Sequence, residues 1–120
     1  MKKNTQFKSV VELWQADKQQ FVKKSTFAAY SLLIANHLLP AFSEANDISE
    51  EDVQQFVFKK LKEGLSQKSV KDILIVLKMI LRYGAKHNLM EHRQIDIRFP
   101  TEPLHALGAY HWPQAKREVY

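Results

Sequence analysis

At 120 residues, with 45% hydrophobic side chains and no cysteine, the chain can build one modest core but neither a disulfide framework nor a thiolate metal site. Lysines and arginines number 18 against 13 acids, a net charge of +5. The surplus is uneven: three lysines and no acid lie between Lys18 and Ser43, and eight cations meet only Glu63 and Asp72 between Lys59 and Lys86. That asymmetry points to an anionic partner rather than to general solubility.

The first residues, Met1 to Gln6, are polar and read as frayed, and MKKNTQFKSVVELWQ has no apolar segment that would make it a signal peptide. No stretch spans a bilayer, because ILIVLKMIL is short and broken by Lys78, and AAYSLLIANHLLPAF contains Asn36, His37 and Pro40. A soluble, intracellular protein is expected, and the lack of cysteine fits a reducing compartment. Ser9 and Glu12 have the spacing of a capping box, predicting a short first helix that carries Val10, Val11, Leu13 and Trp14. Trp14 is read as core rather than as a base-stacking ring.

Lys23-Lys24-Ser25-Thr26 leads into a second helix predicted over roughly Thr26 to Leu38, ended by Pro40, with Phe27, Tyr30, Leu33, Ile34 and Leu38 on its apolar face. Two lysines beside the open amides of a helix start can hold a phosphate; the competing reading is an ordinary cap with solvated lysines. Tyr30 leans to the core, with backbone contact as the alternative. His37 reads as a surface or capping histidine near a helix end. Ala41 to Ser49 reads as a loop, and Ser49-Glu50-Glu51-Asp52 starts a third helix that buries Val53, Phe56, Val57 and Leu61. The lysines at 59, 60 and 62 complement its dipole and say little about ligands.

Gly64 to Asn88 is the most informative stretch. At about 100° per residue, Val70, Ile73, Leu74, Leu77, Ile80, Leu81 and Gly84 share one arc. Lys68, Lys71, Lys78, Arg82 and Lys86 share the neighbouring arc, with Ile75 and Met79 among them and Asp72 as its one acid. Ser66 is the expected N-cap, Gly64 suits the end of the preceding helix, and Asn88 can close this one in the left-handed conformation. Beyond it, Leu89 to Phe99 reads as an extended strap. Thr101 to Tyr120, broken by Pro103, Gly108 and Pro113, reads as an irregular tail. The expected architecture is all-α, a small four-helix bundle over residues 1–100 followed by the tail at 101–120.

With the helices in order, the chain resembles the N-terminal core-binding (SAM-like) domain of tyrosine recombinases, the phage-integrase family. The matching pieces are Val11-Glu12-Leu13-Trp14, Lys24-Ser25-Thr26 with Tyr30, Asn36-His37-Leu38-Leu39-Pro40-Ala41-Phe42 and Ile48-Ser49. They continue with Gly64-Leu65-Ser66-Gln67-Lys68-Ser69-Val70 and Leu77-Lys78-Met79-Ile80-Leu81-Arg82-Tyr83-Gly84, so the resemblance covers about Phe7 to Pro100. It implies a bundle gripping one face of double-stranded DNA through its second and fourth helices, inside a clamp completed by a separate catalytic domain. A bacterial, cytoplasmic, DNA-associated protein of a phage or mobile element is implied too.

The family's chemistry needs an arginine-rich pocket, a His-x-x-Arg pair and a nucleophilic tyrosine. None of the five histidines is followed three positions later by arginine, and Tyr120 has no such pocket in this chain. No catalytic residue is therefore expected. The reading is an isolated binding domain: an excised piece, or a truncated or frameshifted product.

The residues expected to meet DNA are Lys23, Lys24, Ser25, Thr26, Gln67, Lys68, Ser69, Lys71, Ile75, Lys78, Arg82 and Lys86. The cations would bind phosphates, Ser25, Thr26, Gln67 and Ser69 could donate to phosphates from helix starts, and Gln67, Lys71 and Ile75 are candidates for base edges. The alternative is a protein-interaction module using Ile75 and Met79, with Tyr110 and Trp112 of the tail serving contact with other recombinase subunits. An independent enzyme has little support. Glu50-Glu51-Asp52 is explained by capping and no histidine pair has ligand spacing, so no metal, cofactor or small-molecule substrate is expected.

Overall fold

The computed structural model describes residues 5–100; the tail expected over 101–120, with Tyr110, Trp112 and Tyr120, lies outside them. The fold is all-α. The first helix is Phe7–Lys18, and the second is Lys24–Leu33, which runs on through a π turn, Ile34–Leu38, into a last turn at Leu39–Phe42. The third helix is Glu50–Lys62 and the fourth Gln67–Lys86.

The first helix starts earlier than its sequence predicts. Gln6 is the N-cap and no side chain caps it, so the Ser9–Glu12 capping box does not form. The amides of Phe7 and Lys8 instead donate to the carbonyls of Ala45 and Ser43, at 2.8 and 3.0 Å. Backbone from the loop before the third helix thus supplies the partners that a side-chain cap would otherwise provide. Val10, Val11 and Trp14 are buried as expected, whereas Leu13 is 47% exposed.

The second helix departs further. It begins at Lys24, two residues early, and Pro40 does not end it. The Leu39 amide reaches back to Ile34 O, so the turn before the proline is one residue wider than an α turn. Within a regular helix the Pro40 ring would press on the carbonyl of Asn36; widening the preceding turn relieves that clash, and the helix continues to Phe42. The loop is accordingly shorter than the Ala41–Ser49 expected. His37 lies inside the π turn, half-buried, with its Nδ1 buried and unpartnered, rather than on the surface or at a cap. Burial, then the nearby Lys60 charge, pulls its pKa below the ordinary histidine value.

The third and fourth helices follow the sequence closely. Ser49 and Asp52 form a reciprocal capping box, with Ser49 Oγ accepting from the Asp52 amide at 3.1 Å. Gly64, at φ +104°, ends the third helix, and the Gly64 and Leu65 amides satisfy the carbonyls of Leu61 and Lys60. Ser66 caps the Ser69 amide at 3.1 Å, and Asn88 closes the fourth helix at φ +59°.

The core collects Phe7, Val10, Trp14, Ile34, Leu38, Phe42, Val53, Val57 and Leu61 around the buried face of the fourth helix. That face comprises Val70, Ile73, Leu74, Leu77, Ile80 and Gly84 as expected, and Val76 as well. The first helix crosses it in the opposite direction. At Gly84 a Cβ would meet Val10 at 3.2 Å and Met90 at 3.4 Å, so glycine permits the close approach there.

Candidate nucleic-acid interface

The fourth helix buries one stripe and turns the opposite side outward, which fixes where its cations stand. Lys68, Lys71, Ile75, Arg82 and Lys86 are exposed, and Lys78 and Met79 are half-buried. Ile75 is 56% exposed in the middle of this cationic ridge. The arc drawn from sequence therefore exists as a surface, but its members differ in what they touch.

In the first turns the polar groups already have partners. Gln67 is half-buried and its Nε2 donates to the Pro100 carbonyl at 2.8 Å. Lys68 pairs with Asp72 at 3.5 Å, and the Ser69 amide is spent on the Ser66 cap. Lys71 Nζ stands 5.2 Å from the centre of the Phe99 ring, within cation–π range. Further along, Lys78, Arg82 and Lys86 have no ion-pair partner among the described residues.

The strap accounts for part of the difference, through its contacts with Gln67 and Lys71. From Met90 the chain turns back and runs in extended form past the third helix to the start of the fourth. Asp96 N–H donates to Glu50 at 2.9 Å. The Gln54 amide grips the main chain of Arg98 on both sides, accepting from its N–H at 3.0 Å and donating to its carbonyl at 2.8 Å. Ile95, Ile97 and Phe99 alternate inward and pack against the core. At the strap's root Arg93 donates twice to Asp47, at 2.8 and 2.5 Å. Chiefly through that hydrogen bonding, Arg93 holds the Asp47 carboxyl below its usual range. Between root and helix lies a cavity of about 240 Å³ with Ile48, Leu81 and Met90 in its lining and Lys78 and Arg82 beside them.

A second depression lies on the other flank of the ridge, between the first and fourth helices. Trp14 and Asp17 and Lys18 border it from one side, and Met79, Arg82, Tyr83 and Lys86 from the other. Trp14 is held from behind by Tyr30, with ring centres 5.9 Å apart, which gives Tyr30 a partly buried packing role.

The second helix offers its start. Lys23 is the N-cap in extended conformation, no side chain caps the helix, and Lys24, Ser25 and Thr26 occupy the first turn. Their amides have no intrahelical carbonyl to bond, and Lys23 and Lys24 are exposed beside them. Among the described residues no group of three or more His, Asp or Glu side chains could hold a metal ion, and no helix is long and apolar enough to cross a membrane.

Lys18 and the Gln54–strap clamp were missed by sequence reasoning. Lys18 entered the sequence reading only through the charge distribution, and nothing local marks a glutamine that binds backbone 44 residues away.

No curated protein and no solved structure matches the chain. Residues 6–61 match the family model described as "Phage integrase, N-terminal SAM-like domain". The matched stretch runs from the cap of the first helix to the buried end of the third; the pieces quoted above from Gly64 onward lie beyond it. The match takes in the first three helices, a little under half of the chain, and makes that stretch similar to phage-integrase N-terminal SAM-like domains.

Proposed function

We propose that this chain is the DNA-binding module of a site-specific tyrosine recombinase, without chemistry of its own. It grips duplex DNA through the start of its second helix and the basic ridge of its fourth, and works in the cytoplasm on bacterial DNA. In this reading residues 1–100 are the binding domain and 101–120 a linker. The observation that supports it best is the run of Lys78, Arg82 and Lys86 along one side of one helix without ion-pair partners among the described residues. Unpaired cations at helical spacing keep their attraction for a polyanion, and each phosphate neutralised releases condensed counterions.

The exposed Ile75 has a place in this picture, since an apolar side chain amid phosphate-binding cations can meet a thymine methyl group. It also fits the second reading, a protein-interaction surface built on Ile75 and Met79.

Binding of a generic labelled duplex at low and moderate salt, wild type beside Arg82→Glu/Lys86→Glu, tests the proposal. The wild type should bind with an affinity that falls steeply with salt, and the double variant should lose most of it while staying folded by circular dichroism. Absence of wild-type binding at low salt would sink the reading and move attention to Ile75.

A further inference from the structure

We propose that the trench between the first and fourth helices is a seat for one DNA phosphodiester, and that Lys18 of the first helix is one of its phosphate-binding residues. This rests on the DNA-binding reading, which otherwise draws on the second and fourth helices alone.

The trench gathers three cations from two helices. Lys18 closes the first helix, while Arg82 and Lys86 stand one turn apart on the fourth. None has an ion-pair partner among the described residues, and the one acid at the rim is Asp17. Like charges lining one hollow repel one another, and an anion lying in it lowers that repulsion while being attracted to each.

The walls suit a backbone phosphate passing across an open hollow. The trench is open, about 260 Å³, and bordered by Trp14, Met79 and Tyr83. Trp14 is 97% buried and fixed against Tyr30, so the trench is bordered by a rigid ring, and Tyr83 is braced by His87 at 4.3 Å between ring centres. The cations' stems line the hollow, and their charged heads can meet a backbone phosphate passing over the ridge.

The seat has a consequence for how the interface is joined together. Lys18 lies five positions before Lys23, the cap of the second helix. The first helix therefore supplies the link in a basic track from the fourth-helix ridge to the second-helix start. Asp17 is its counterweight: it weakens phosphate binding and keeps the hollow from attracting anions indiscriminately.

Fluorescence anisotropy on a generic labelled duplex tests this with Lys18→Gln, Asp17→Asn, Lys8→Gln and Arg82→Glu. Lys8 is the control, on the same helix but paired with Glu44 at 3.9 Å. Lys18→Gln should weaken binding about threefold to tenfold at low salt and reduce the log–log salt slope by about one. Asp17→Asn should tighten binding, and Lys8→Gln should leave it unchanged. If Arg82→Glu weakens binding but Lys18→Gln behaves like Lys8→Gln, the seat is overturned and the wider reading stands. If the wild type does not bind, both fall together.

Discussion

From Gln67 to Asp72 the fourth helix spends its polar groups inside the chain, on the strap, on a neighbouring acid and on its own cap. From Ile75 to Lys86 the same helix, on the same buried stripe, presents cations that have no ion-pair partner among the described residues. Composition does not separate the halves, since both are basic and both sit on Val, Ile and Leu packed into one core. What separates them is the partners each meets: the strap engages Gln67 and Lys71, and the helix's own residues engage Lys68 and Ser69. A cation's value to a polyanion depends on its neighbours as much as on its charge. An exposed ion pair or cation–π contact is worth about 0.5–1 kcal/mol, enough to tax a ligand but not to block it.

The largest expected effect concerns what the halves share. Leu77 is fully buried at the middle of the stripe, and Leu77→Ala should cost about 2–5 kcal/mol. Urea unfolding should show a lower midpoint with an unchanged slope, because both halves pack into one core and unfold together. Non-coincident transitions by fluorescence and circular dichroism would break that premise.

Next comes the contrast itself. Arg82→Glu, on the open half, should weaken duplex binding about tenfold or more, and Lys71→Glu, under Phe99, only about threefold or less. Releasing the strap with Phe99→Ser should enlarge the Lys71→Glu penalty and leave the Arg82→Glu penalty as it was. Equal losses at the two positions in the unaltered chain would show that the strap masks nothing.

Local chemistry made much of this legible. Ser49, Ser66, Gly64 and Asn88 end or begin helices through hydrogen bonds and backbone angles within a few residues, so their roles could be read directly. The buried stripe of the fourth helix was equally plain, since its period is set by the helix. The misreadings share a cause, a partner distant in sequence or a strained turn without a local mark. Ser9 looked like a cap because the carbonyls of Ser43 and Ala45 could not be foreseen beside Phe7 and Lys8. Pro40 looked like a helix end because a π turn is a rare answer to a proline. The candidate interface was legible as basic, polar and apolar residues on two helices, but the engagement of Gln67 and Lys71 was not, because Pro100 and Phe99 lie far along the chain.

The smallest expected effect lies at the strap's root. Asp47 is held below its ordinary pKa by its hydrogen bonds to Arg93, so its folded value is lower than its unfolded one. The contribution is therefore fully present above the unfolded value, about pH 4, and is lost as the pH falls through the folded value below that. Both side chains are nearly half exposed, at 45% and 43%, so salt screens the pair and the melting temperature should scarcely move. Local opening is the sensitive readout. Amide exchange at Asp96 and Arg98, whose N–H groups donate to Glu50 and Gln54, should quicken below about pH 4, relative to the intrinsic rate, while the amides of the fourth helix stay protected. Other carboxylates lie near the strap, so the wild type must be compared with Asp47→Asn, which should show fast exchange along the strap at every pH. An identical pH step in the variant would assign the loosening to the other carboxylates. Loss of the step in the variant would make Asp47–Arg93 the latch that holds the strap in place.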